Sequence, residues 1–169
     1  MNSGDILLFK GEDGFSRLIA WGTNSVYTHV AICVSPQMNL AIEAIAGGGV
    51  RAIDIREIKE NYDVYNVKEG NNYDLNATLS YLVSKLNSHY DYLGVIFLGL
   101  IKVMAKLYPP FKITANKWQK DRDYFCSELC YDAFFAGGGL DIVPDISEAD
   151  VISPADISKS KIMEYIKAV

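Results

Sequence analysis

Cationic charge, cysteine and long apolar runs are all scarce in this chain of 169 residues. The 16 Lys and Arg are outnumbered by 21 Asp and Glu, giving a net charge of −5 and a pI near 5.0. A sequence-independent grip on nucleic acid or on anionic lipid needs clustered Lys and Arg, so neither is an expected partner. The three cysteines, Cys33, Cys126 and Cys130, are too few for a disulfide framework and odd in number. In an acidic chain they fit free thiols in a reducing compartment. The longest apolar run, residues 93–101, stops at Lys102. It is too short to span a bilayer and reads as a buried helix, so stable membrane insertion is not expected. Residues 1–5 lack a basic region followed by a long apolar stretch, and a cytoplasmic location is the expectation. Gly47-Gly48-Gly49 lacks the Lys-Ser/Thr of a phosphate loop and reads as a strand connection.

Half of the residues are apolar, enough for a sizeable core. With no internal repeat and no low-complexity linker, residues 1–169 are expected to form a single domain. Gly4-Asp5 leads into a short buried strand, 6–9. Residues 15–21 have helical spacing. Strands are predicted over 27–34, 40–45, 50–55 and 63–67. The pattern then turns helical. Asp74 is a candidate cap for a helix over 75–86, and a second helix is expected over 92–107, stopped by Pro109-Pro110. Residues 126–135 read as a helix closed by a left-handed turn at Gly137-Gly138-Gly139. Ser153-Pro154 suggests one more helical turn, and 162–169 fits either helix or strand. A strand-rich front and a helical back indicate an α+β fold with an antiparallel sheet packed against helices.

Two residues carry the chemistry. His29 sits in the alternating strand Thr28-His29-Val30-Ala31-Ile32-Cys33-Val34, and Cys126 opens the helix Cys126-Ser127-Glu128-Leu129-Cys130. A thiol is a useful nucleophile only as thiolate. A helix start favours that anion, and an imidazole can take its proton. Taken one at a time, Cys126 reads better as a small buried hydrophobe and His29 as a core histidine satisfied by backbone. Glu43 lies in the apolar strand Leu40-Ala41-Ile42-Glu43-Ala44-Ile45. It is either a solvent-facing residue or a buried carboxylate that needs a partner. A carboxylate on the second ring nitrogen of His29 would orient the base. Acyl chemistry also needs donors for an oxyanion. The N–H of Cys126 is one, and Tyr90 or Tyr92 is a candidate for the other.

Taken together, these segments resemble the NlpC-type papain-like superfamily, in its circularly permuted YiiX-like branch. Gly4-Asp5-Ile6-Leu7-Leu8-Phe9 looks like that family's Gly-Asp strand. Thr28-His29-Val30-Ala31-Ile32 looks like its histidine strand, with Ala31 where Gly is common. Ala41-Ile42-Glu43-Ala44 looks like the strand carrying the third polar residue. Tyr90-Asp91-Tyr92 resembles the tyrosine motif and Phe125-Cys126-Ser127-Glu128-Leu129 the nucleophile motif. The histidine precedes the cysteine, the reverse of the unpermuted order. The resemblance implies a permuted papain-like fold and a Cys126, His29, Glu43 triad, and it raises Tyr90 as the oxyanion partner. It implies cysteine hydrolase chemistry at an amide, ester or thioester through a covalent thioester, with no cofactor. The substrate would be a small peptide, an amide or a lipid-derived molecule. Unpermuted members cut bacterial cell-wall peptides, and lecithin retinol acyltransferase-like members act on lipids.

Two other readings compete. His29, Cys33, Cys126 and Cys130 are four residues of zinc-ligand type, but no tight Cys-x-x-Cys knuckle joins them. A non-catalytic binding module that keeps the papain-like shell is the second.

Overall fold

A computed structural model of the chain describes residues 1–11, 25–90, 123–146 and 152–169. The expected helices over 15–21 and 92–107, together with Tyr92, lie outside the described residues. Six strands form one antiparallel sheet: β1 (Ile6–Lys10), β2 (Tyr27–Ser35), β3 (Leu40–Ile45), β4 (Gly49–Asp54), β5 (Tyr62–Val67) and β8 (Met163–Ala168). Their order across the sheet is β4-β3-β2-β1-β5-β8. Two further strands, β6 (His89–Tyr90) and β7 (Asp123–Tyr124), pair in parallel as a separate ribbon. The helices are α1 (Leu75–Ser84), α2 (Cys126–Asp132) and α3 (Pro154–Lys159). The molecule is thus α+β.

β1 is apolar at consecutive positions because both faces of the sheet centre are covered. On one face Ile6, Leu8, Val30, Ile32 and Ile42 join a core with Leu129, Phe134 and Ile157 from the helical half. On the other, Leu7, Phe9, Ala31, Ala41, Tyr62 and Val64 form a smaller cluster covered by Ile53, Ile55 and Ile58. Phe134 is fully buried and packs on the Tyr73 ring at 5.3 Å. Phe134→Ala is expected to cost about 3–5 kcal/mol of stability, read by urea unfolding.

Several expectations change at their edges. Asp74 does cap α1, its carboxylate accepting the Ala77 N–H at 2.9 Å. The helix stops at Ser84 rather than at residue 86, because the edge of β4 takes the following backbone. Asn87, at φ 67°, donates to Val50 O at 2.9 Å, and Val50 N donates to Ser88 O at 2.9 Å. Gly49 makes that approach possible. It has φ +64°, and a Cβ there would lie 2.2 Å from Ser88 O. The helix expected over 126–135 ends at Asp132 and continues as a wider π-type turn over Ala133–Gly137. Here α1 presses close, and a Cβ on Gly138 would sit 2.2 Å from Thr78 Oγ1. The left-handed residue is Gly139, at φ +76°. The segment left open between helix and strand is β8, which pairs with β5.

A second buried carboxylate, Asp63, sits between strands. It accepts from Lys10 Nζ at 2.7 Å and from Tyr27 Oη at 2.5 Å, and Tyr27 Oη lies 3.1 Å from Tyr65 Oη. Burial, with Asp63 and Tyr65 holding the hydroxyl, pushes the Tyr27 phenol above its ordinary range. Among the described residues no helix is long and apolar enough to cross a membrane.

Candidate functional site

His29 lies beside an irregularity in the sheet. Phe9 pairs with His29, but Lys10 pairs with Tyr27, so Thr28 is an extra residue on β2. A bulge of this kind bends the strand and re-aims the neighbouring side chain. The His29 ring rests against the Phe9 ring, with centroids 5.2 Å apart.

Glu43 is on the next strand, where Ala31 opposes it, so His29 is its diagonal neighbour on the same face. His29 Nε2 and Glu43 Oε2 are 2.7 Å apart. Only 6% of the Glu43 side chain is exposed, so the carboxylate needs charged or donor partners to stay ionised. It has two. Arg51, directly across the β3–β4 ladder, donates to Glu43 Oε1 from Nε at 2.9 Å, and its Nη2 lies in ion-pair contact with the same oxygen at 2.8 Å. Burial alone would raise the Glu43 pKa, but His29 and Arg51 outweigh it and hold the carboxyl below its ordinary value.

Cys126 is the first residue of α2, after Phe125 at the cap. First-turn N–H groups lack intrahelical acceptors, and the positive end of the helix dipole lies there. The helix start is pinned from two sides. Glu128 Oε2 accepts the Phe125 N–H at 3.4 Å, and Ser127 Oγ donates to Ile152 O at 2.8 Å. From this position Cys126 interacts electrostatically with His29. Burial disfavours the charged imidazole, but Cys126 and then Glu43 outweigh it, raising the His29 pKa to about 10. The structure therefore places Glu43 on His29 through a hydrogen bond and Cys126 close enough to influence the same imidazole.

Tyr90 is placed less completely. Its backbone pairs with Tyr124 in the β6–β7 ribbon, two residues before Cys126. The same stretch is tied to β4 through Ser88, as above, so the expected oxyanion residue and the nucleophile helix share one short ribbon.

The other two thiols, Cys33 and Cys130, are buried. Burial, helped by Asp5, pushes Cys33 up to about 11. Burial and the neighbouring Cys126 push Cys130 up as well. Among the described residues no group of three or more His, Cys, Asp or Glu is arranged to hold a metal ion. Arg51 is the residue that sequence reasoning missed as part of the site. It lies opposite Glu43 in a tight hairpin, and that register was the available signal.

A cleft of about 810 Å³ opens beside His29 and Glu43, lined by Phe9, His29, Glu43, Arg51, Ile53 and Ile58 among others. Its lining mixes apolar side chains with charged ones, which suits a small polar molecule.

No protein-family model matches the chain, and no curated protein matches it. Among solved structures, the fold is similar to the crystal structure of metalloprotein yiiX from Escherichia coli O157:H7, DUF1105. That similarity covers 98% of this chain and 96% of the other, with a TM-score of 0.61 and 17% sequence identity. At that identity the likeness concerns the fold.

Proposed function

We propose that residues 1–169 form a single permuted papain-like domain acting as a cysteine hydrolase on an amide or related acyl bond. The observation that carries this reading is His29, whose Nε2 is hydrogen-bonded to a buried carboxylate and whose imidazole is influenced by a cysteine at a helix start. With Nε2 on Glu43, Nδ1 is the ring nitrogen left for the thiol. The fold likeness to yiiX is compatible with such a hydrolase.

The steps follow from the roles. His29 takes the Cys126 proton, and Sγ adds to the carbonyl carbon. The oxyanion is met by the Cys126 N–H, with Tyr90 as the second donor. Collapse breaks the bond to the leaving group, which departs with the proton held on His29. Water, deprotonated by His29, then cleaves the thioester and regenerates the thiol. A small peptide, an amide or a lipid-derived acyl compound satisfies this chemistry.

A metal is named for the fold neighbour, and the donors here do not fit one. His29 and Glu43 are engaged with each other, Glu43 also with Arg51, and Cys126 with His29. Neither Cys33 nor Cys130 converges with them into a metal-binding group among the described residues. No step is routed through a metal.

The test is iodoacetamide labelling with the modified residue mapped by mass spectrometry. At pH 6.5 a thiol with a pKa of about 8.5 is only ~1% thiolate, so a thiolate–imidazolium pair should label ~10–100-fold faster. The expected result is selective labelling of Cys126 over Cys33 and Cys130, lost in His29→Ala. Slow labelling indifferent to His29 would replace the hydrolase with a non-catalytic binding module.

A further inference from the structure

Arg51 stands outside the Cys126, His29, Glu43 series, yet it engages the one Glu43 oxygen that His29 does not. Nε and Nη2 both reach Oε1, at 2.9 and 2.8 Å, while Oε2 faces His29 at 2.7 Å. The carboxylate is therefore held at both ends. Its rotation about the last side-chain bond, which would otherwise be broad, is fixed by the guanidinium on one oxygen and an imidazole on the other. The backbone prepares this arrangement, since Glu43 and Arg51 are directly opposed in the β3–β4 ladder. The two partners differ in exposure. Glu43 is buried, whereas half of the Arg51 side chain is exposed and lines the cleft.

We propose that Arg51 is a positioning residue for the reaction, clamping Glu43 Oε1 so that Oε2 orients His29 toward Cys126. This rests on the hydrolase reading above. The contact Arg51 makes is with Glu43. It acts through Glu43, and its charge keeps that buried carboxyl ionised. The other charged groups of the cleft do not duplicate it. Asp54 is committed to Arg56, whose Nη2 lies 2.5 Å from Oδ2. Glu57, Lys59 and Glu60 line the same cleft. Among the described residues, the groups in contact with Glu43 are thus His29 from β2 and Arg51 from β4.

The experiment measures the pH dependence of Cys126 carbamidomethylation by iodoacetamide in the wild type, Arg51→Met and Arg51→Lys. It is paired with carboxyl 13C titration of Glu43 and far-UV circular dichroism for fold. Removing an opposite charge in contact shifts a carboxylate by about one unit or more. In Arg51→Met the Glu43 titration and the acid limb of labelling should both move up by about one pH unit, and the rate at pH 7 should fall several-fold. Arg51→Lys keeps the charge but loses the fork, so it should restore the acid limb while recovering only part of the rate. The inference is overturned if folded Arg51→Met labels at the wild-type rate with an unmoved acid limb. If Arg51→Met does not fold, Arg51→Lys decides, and a wild-type rate there overturns the clamp. Failure of the underlying hydrolase reading looks different: wild-type labelling would itself be slow and indifferent to His29→Ala.

Discussion

Cys126→Ala is expected to abolish acyl turnover, by a factor of ~10⁴ or more, while leaving the fold in place. The side chain is mostly buried, but the change removes a single sulfur atom, and alanine packs at a helix start without strain. Electrospray mass spectrometry of protein incubated with amide, ester and thioester probes should show an acyl adduct on the wild type and none on the variant. A second signature follows from the electrostatics. Cys126 is the leading reason that His29 is held at about 10 against its burial. Without it, the burial penalty is opposed by Glu43 alone, and the His29 pKa should fall, as read by imidazole NMR. The sign is fixed by linkage. A histidine whose pKa is raised on folding stabilises the folded state fully below its ordinary value of 6.5. That contribution is lost as pH rises through about 10. Catalysis shares the limit, because the leaving group needs the imidazolium proton. Turnover should hold through pH 8 to 9 and drop near 10. Retained turnover in Cys126→Ala would remove the nucleophile assignment.

Local pattern carried much of this arrangement and distant pairing did not. The strand 40–45 is legible because its residues are apolar almost throughout, and its bounds match β3. The interrupting carboxylate of Glu43 marks a buried polar contact for the same reason. That mark is not specific to catalysis. Asp63 is as buried as Glu43 and equally well partnered, yet it holds Tyr27 and Lys10 together between strands. Its partners are 36 and 53 residues away in sequence, beyond the reach of any periodicity. The hairpin is an intermediate case. A turn near Gly47-Gly48 sets Glu43 opposite Arg51 by simple counting, so the clamp was readable from register even though side-chain type alone did not suggest it. The placement of β8 beside β5 had no local signal, because 162–169 satisfies helix and strand patterns alike, and only the open edge of β5 decides. The end of α1 was overridden in the same way, by a hydrogen bond to β4 that propensity does not contain.

Glu43→Gln should separate orientation from binding. Glutamine keeps the shape and can still accept from His29, but it cannot balance an imidazolium or an arginine. The rate of acyl transfer should fall ~10²–10⁴-fold. KM should change little, because Glu43 acts on His29 rather than on the acyl group. The loss of a carboxylate beside His29 should also lower the His29 pKa and bring the alkaline limb down from about 10. The informative comparison is the double variant with Arg51→Met. Residues that act through one another show non-additive effects. If Arg51 works only by holding Glu43, removing it after Glu43→Gln should cost almost nothing further. Two independent losses that multiply would mean that Arg51, half-exposed on the cleft, has a contact of its own with the substrate. An unchanged rate in Glu43→Gln would leave both residues as parts of the β3–β4 ladder and reduce the chemistry to the Cys126–His29 pair.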